Sequence, residues 1–181
     1  MCSNERNVIK QHIRTIPHHP KPGVMFRDIT TLLKHGEGFR ESIDALATHY
    51  RGERIDKVAG IEARGFVFGG ALAYLLRVGF VPMRKQGKLP AQTIGHDYAL
   101  EYGTDRIEIH VDALAKGERV LILDDLLATG GTAEAAASLV ERAGAVVVGC
   151  GFVVDLPELG GRRRLEGRGW SVFALCEFEG E

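Results

Sequence analysis

Residues 120–132 read Val-Leu-Ile-Leu-Asp-Asp-Leu-Leu-Ala-Thr-Gly-Gly-Thr, a run that passes from an apolar strand through two adjacent carboxylates into a turn of glycines and hydroxyls. Val120 to Leu123 suit a strand covered on both faces, which is the environment of a parallel sheet. The turn then opens a helix that continues through Ala133 to Ala143. Backbone N–H groups at a helix start lack internal partners and point outward, and the helix dipole favours negative charge there. Gly130 and Gly131 let the main chain approach an anion closely, Ala128 keeps the turn small, and Thr129 and Thr132 add hydroxyl donors. Asp124 and Asp125 fall at the carboxyl end of the strand, where open α/β sheets bind ligands, and carboxylates accept hydrogen bonds from sugar hydroxyls. The segment therefore suits both ends of a ribose 5-phosphate. A plainer reading, in which the acids merely end a strand and the glycines merely turn, does not explain why all three parts coincide.

Two other phosphate loops are excluded by spacing. A P-loop ends in Gly-Lys-Ser/Thr, and the dinucleotide fingerprint needs spaced glycines followed by an acid about 20 positions later. Neither occurs here. The pattern resembles the diphosphoribosyl-diphosphate motif of the type I phosphoribosyltransferases.

Composition narrows the class. A chain of 181 residues fits one domain, long enough for a sheet covered on both faces. A net charge of −1 offers no field for nucleic acid. No apolar run is long enough to cross a bilayer, and the polar start Met1 to Glu5 lacks a signal-peptide core, so a cytoplasmic location is expected. The cysteines, Cys2, Cys150 and Cys176, form no close pair, which argues against a disulfide framework or a zinc site.

Helices and strands alternate along most of the chain. Ser3 is expected to cap a helix reaching about Arg14, after which Pro17, Pro20 and Pro22 force an extended segment. A helix spans roughly Gly38 to Tyr50. Lys57 to Ile61 and Gly79 to Met83 read as strands around a helix from Gly65 to Arg77. The motif strand, Arg119 to Leu123, leads to a helix over Ala133 to Arg142, a strand over Val146 to Val154, a short helix over Glu158 to Leu165 and a strand over Ser171 to Leu175. Such alternation implies right-handed crossovers and a parallel sheet.

Between Arg84 and Asp112 the alternation breaks. A long polar excursion with glycines and a short hairpin strand reads as a lid. Arg84, Lys85 and Lys88 cluster there. They suit either ordinary solvated charge or the cations of a polyphosphate-binding flap, and their place on an insert beside the strand ends favours the second. Gly60 to Phe66 forms another strand-to-helix turn, in which Arg64 either grips phosphate oxygens or pairs with Glu62 on the surface.

Five segments taken in order, Pro22 to Ile29, Ile61 to Phe66, Arg84 to Pro90, Tyr98 to Gly103 and Leu123 to Thr132, resemble the adenine phosphoribosyltransferases within the type I family, and the similarity covers nearly the whole chain. The resemblance implies a single-domain α/β fold, a mostly parallel sheet flanked by helices, with a base-binding hood from about residues 1–35 and a flexible lid over about 84–112. It implies that the chain joins adenine to 5-phosphoribosyl 1-diphosphate, giving AMP and diphosphate. Adenine would lie over Phe26, with the main chain at Met25 and Arg27 reading its edge. Phe26 taken alone reads equally as core. Glu101 would handle a proton on the purine, although in isolation it reads as a solvated loop acid. Arg64, Arg84, Lys85 and Lys88 would hold diphosphate, with Mg²⁺ carried mainly by substrate and water, without an assigned protein ligand. A homodimer is implied by the resemblance alone. Met25 stands where the family commonly has a smaller β-branched residue, and Glu62-Ala63 is one of several variants of its loop. A ligand-sensing regulator would need a nucleic-acid module, for which the chain has neither a spare domain nor a basic face. A transferase for another base, such as a 6-oxopurine, is the alternative within the enzyme class.

Overall fold

In a computed structural model that describes residues 8–100 and 103–180, the apolar runs pair as a seven-stranded sheet. Strands β1 (Arg14–Pro17) and β2 (Met25–Asp28) form a separate antiparallel pair. After helices α1 (Thr30–Leu33) and α2 (Gly36–His49) come β3 (Lys57–Ile61), α3 (Gly65–Leu76), β4 (Gly79–Lys85), β5 (Thr93–Leu100) and β6 (Gly103–His110). The chain continues with β7 (Arg119–Leu127), α4 (Gly131–Arg142), β8 (Val146–Asp155), a 3₁₀ turn (Pro157–Leu159), α5 (Gly161–Glu166) and β9 (Val172–Glu177). The strand order is β5-β6-β4-β3-β7-β8-β9, with β4, β3, β7, β8 and β9 parallel and β6 antiparallel to both of its neighbours, β4 and the edge strand β5.

Neighbouring residues of the central strands point to opposite faces, so each strand feeds two cores. Val58, Leu121 and Leu123 face α2 and α3, where Ile43, Leu46, Phe68 and Leu72 are buried. Ala59, Ile61, Val120 and Ile122 face α4, whose small Ala133, Ala136 and Ala137 allow close approach. From β3 the chain proceeds outward through β4, and from β7 it proceeds the other way through β8. The reversal of direction between β3 and β7 is the crevice-forming point of such a sheet.

Several boundaries differ from the sequence reading. Helix at the amino end occupies residues 8–11 and gives way to β1, so Arg14 is a strand residue; Ser3 lies outside the described residues. The motif strand runs on to Leu127, because Asp124, Leu126 and Leu127 keep pairing with β8, and α4 already begins at Gly131. The helix expected over Glu158 to Leu165 is split by Gly160, whose φ of 75° is left-handed.

The largest difference is in the segment from Arg84 to Asp112. It holds two eight-residue strands rather than one short one, paired from Thr93↔His110 to Leu100↔Gly103. Ile107 and Ile109 are buried in the main core, so the base of this region is sheet. Thr93 to Leu100 shows no clean apolar alternation; its pairing with β6 makes it a strand.

Candidate active site

At the end of β7 the chain turns into α4 through Gly130, which adopts a left-handed φ of 79°. Asp124, Leu126 to Thr132 and Ala133 line a cavity of about 90 Å³ at this helix start. Thr129 is exposed and Thr132 half-buried, so both hydroxyls are available to a bound anion. The helix start thus presents backbone N–H groups, two hydroxyls and the favourable end of the dipole to one small space.

A partner outside the motif fixes the shape of this loop. Gly161 donates its N–H to the Ala128 carbonyl at 3.0 Å. A side chain on Gly130 would meet Gly161 Cα at 3.0 Å, and one on Gly161 would meet Leu127 at 2.8 Å and overlap the Ala128 carbonyl. Next to it, Arg162 Nε lies 2.8 Å from the fully buried Asp155 carboxylate at the end of β8. Sequence reasoning placed this segment in a helix and assigned it no role. The Gly160-Gly161 pair before a short helix was the available signal.

The two motif acids differ in setting. Asp124 is half-buried, and its Oδ1 accepts the Asp125 backbone N–H at 2.8 Å. Desolvation by the surrounding atoms, and then the adjacent Asp125 charge, push the Asp124 carboxyl well above the usual carboxylate range. Asp125 is buried, with Arg64 Nε 2.8 Å from its Oδ2. That approach is close without hydrogen-bond alignment, which leaves the oxygen without a hydrogen-bond partner. Gly65 makes the approach of α3 to β7 possible, since a side chain there would meet the Leu123 carbonyl at 2.7 Å and Asp124 Oδ1 at 3.0 Å.

Arg64 therefore pairs with Asp125, and the Arg64–Glu62 alternative does not describe the structure: Glu62 accepts from Arg84 Nε at 2.7 Å. The Arg64 guanidinium also lies 5.6 Å from the centre of the Phe26 ring. His19 meets that ring edge-on at 5.2 Å. Phe26 and Met25 are half-buried, and Phe26 belongs to neither core, so an aromatic face stands beside the motif acids. Arg27 turns the other way and is buried, with Nη1 donating to Thr15 Oγ1 at 2.6 Å and Nη2 to the Glu179 carbonyl at 2.8 Å. Its side chain is thereby engaged away from the crevice, and only its main chain is left for a base.

Around the hairpin, Arg84 also donates to the Lys88 carbonyl at 3.1 Å, and Lys85 Nζ lies 2.9 Å from Asp105 Oδ2. The hydrogen bond to Asp105 raises the Lys85 pKa. Tyr98 donates to the same Asp105 oxygen at 3.2 Å and interacts with Thr132 of the turn. Lys88 is exposed and, among the described residues, has no carboxylate partner. Glu101 lies outside the described residues.

Among the described residues no group of three or more histidine, cysteine or acidic side chains converges as a metal cage. Asp124 and Asp125 are a donor set that fits Mg²⁺, which takes one or two carboxylates and completes its octahedron with phosphate oxygens and water. No helix among the described residues is long and apolar enough to cross a membrane.

Known proteins resemble this chain in sequence and in fold. Residues 28–169 match the family model for the phosphoribosyl transferase domain. An adenine phosphoribosyltransferase of Nitrosospira multiformis is 65% identical over 172 residues, covering 95% of this chain and 98% of that protein. The crystal structure of an adenine phosphoribosyltransferase from Rhodothermus marinus superposes with a TM-score of 0.92 at 51% identity, over 98% of this chain and 100% of the other. That of the Saccharomyces cerevisiae enzyme, complexed with adenine and an imino-altritol bisphosphate, gives 0.90 at 38% identity, over 96% and 99%.

Proposed function

The chain belongs to the phosphoribosyl transferase family, and from that premise we propose that it is an adenine phosphoribosyltransferase of purine salvage, transferring the phosphoribosyl group of 5-phosphoribosyl 1-diphosphate to adenine and releasing diphosphate and AMP. One observation carries the reading: the glycine-hydroxyl cradle, the Asp124–Asp125 pair and the Phe26 face bracketed by Arg64 meet at the reversal of strand order between β3 and β7. Transfer of radiolabelled adenine, hypoxanthine, guanine or orotate to the donor tests it. Preferential labelling of a nucleotide other than AMP would assign a different base, and no transfer at all would leave a binding protein.

In this reading Ala128 to Thr132 hold the 5-phosphate, and that remote grip orients the reacting ribosyl carbon. Asp124 and Asp125 accept the ribose hydroxyls. As the anomeric bond breaks the sugar gains cationic character, which a carboxylate beneath it stabilises, while the departing diphosphate gains negative charge. Arg64, Arg84, Lys85 and Lys88 receive that charge, three of them by exchanging Asp125, Glu62 and Asp105 for phosphate oxygens. When bound, Mg²⁺ supplies further positive charge to the diphosphate oxygens.

Adenine stacks on Phe26, its edge read by the main chain of Met25 and Arg27, since backbone groups give fixed donor and acceptor directions. Glu101 manages the proton of the imidazole side of the purine. The lid over about 84–112 closes over the crevice and excludes water, a competing nucleophile; residues 1–35 supply the base-binding hood, and the whole chain is one domain. The protein works in the cytoplasm as a homodimer. Helix α3 supports the dimer, because it is apolar on nearly every face and leaves Val67, Tyr74 and Leu75 exposed, Tyr74 at 87%. Light scattering measures the mass in solution.

A further inference from the structure

We propose that the C-terminal tail, gripped by the buried Arg27 guanidinium, is the positioning element of the purine-binding strand. The inference rests on the reading of β2 as that strand. Phe26 and Arg27 are neighbours in β2, so their side chains leave opposite faces, Phe26 toward Arg64 and the crevice and Arg27 toward the tail. The Arg27 guanidinium stacks at 4.6 Å on the Phe178 ring and holds the Glu179 carbonyl and Thr15 Oγ1. It has no carboxylate partner among the described residues, and its Nε is buried without a hydrogen-bond acceptor. A cation buried on such terms is costly, so its value lies in direction: planar guanidinium donors fix two partners at set angles, which apolar packing cannot do.

Direction matters here because the two-stranded sheet of β1 and β2 is not hydrogen-bonded to the seven-stranded sheet. Thr15 is the register partner of Arg27, so the grip spans both strands of the small sheet. The tail is tied in turn to the main fold. Phe178 donates its N–H to the Asp155 carbonyl at 3.1 Å, and Gly180 donates to Glu158 Oε1 at 3.1 Å. One anchor, Asp155, ends β8, and the other, Glu158, lies on the connection from β8 to Gly161, the residue seated on the phosphate turn. The tail therefore joins the base-binding strand to the segment that shapes the phosphate cradle. Arg27 and Phe178 act through β2 and touch no substrate with their side chains.

Steady-state kinetics on Arg27→Lys and Phe178→Leu test this. Arg27→Lys keeps a cation but loses the planar donor fork; Phe178→Leu keeps apolar bulk but loses the ring face. Each should raise KM for adenine about tenfold, leave KM for the phosphoribosyl donor within about twofold, and retain kcat at saturating adenine. The melting temperature is measured alongside. An equal rise in both KM values, or an unchanged KM for adenine in both variants, would overturn the proposal. Should one variant not fold, the split in the other decides. Wild-type protein is first assayed with the base panel above, and the KM split is then read with whichever base it converts. Failure of wild type to convert any base defeats the functional reading itself, and the tail proposal with it, and is distinct from a missing split.

Discussion

Gly161 sits so close to Ala128 that its backbone N–H bonds to the Ala128 carbonyl at 3.0 Å and its α-carbon has no room for a methyl group on that side. The glycine-hydroxyl turn is thus backed by main chain rather than by a side chain that could yield. Gly161→Ala should displace the turn and raise Kd for the phosphoribosyl donor by about tenfold or more while adenine binding holds. Thr132→Val, which removes one donor and keeps the shape, should weaken donor binding by about 1.5–3 kcal/mol. Calorimetric titration with the donor measures both; full donor affinity in the two variants would move the 5-phosphate elsewhere.

Lys88 is exposed and, among the described residues, has no carboxylate to leave, unlike Arg84 and Lys85. Lys88→Ala is therefore expected to lower turnover and leave AMP affinity nearly unchanged, because AMP carries no diphosphate. Loss of AMP affinity in step with turnover would show that Lys88 supports the nucleotide pocket or the fold.

For Glu101 the decisive variant is Glu101→Gln, which keeps the size and removes the exchangeable proton. Single-turnover rates with enzyme in excess should fall about 10²–10⁴-fold while adenine and donor still bind. Measuring a single turnover keeps lid opening and product release from masking the chemical step. Chemistry near the wild-type rate would return Glu101 to the role of a structural loop acid.

Asp28 gives a pH signature of stability. Hydrogen bonds from Arg14, then those from Thr30, hold its carboxyl down at about 2, against an ordinary value of 3.8. A depressed acid stabilises the fold above its unfolded pKa and loses that contribution as pH falls from about 4 through the folded value. The stability gap between wild type and Asp28→Asn, from urea titrations, should be constant at pH 6–7 and shrink below about pH 4. A gap that does not change with pH would mean that the Arg14–Asp28 pair does not govern this ionisation.

Much of the site was legible because its chemistry is local in sequence. The strand-acid-glycine run at 120–132 forms the strand end, turn and helix start that its pattern indicates, and Lys57 to Ile61 has the strand limits its apolar pattern indicates. What escaped depends on contacts distant along the chain. Arg27 is bonded to a carbonyl 152 residues away. Gly161 matters only because Ala128 folds against it. Strand β5 is not legible beside the alternating 107–111 run because Thr93 to Leu100 is held by pairing with β6 and carries no apolar alternation of its own. Arg64 could have served Glu62 or the crevice, and only the geometry of two strand ends sends it to Asp125.

In the proposed reading, the independence of the β1–β2 pair from the main sheet makes the protein modular at the level of recognition. The large sheet carries the phosphate turn and the paired acids, whereas the aromatic platform rides on a small ribbon held by side chains and the tail. A new base preference could arise by re-seating that ribbon, without disturbing one rung of the ladder beneath the sugar.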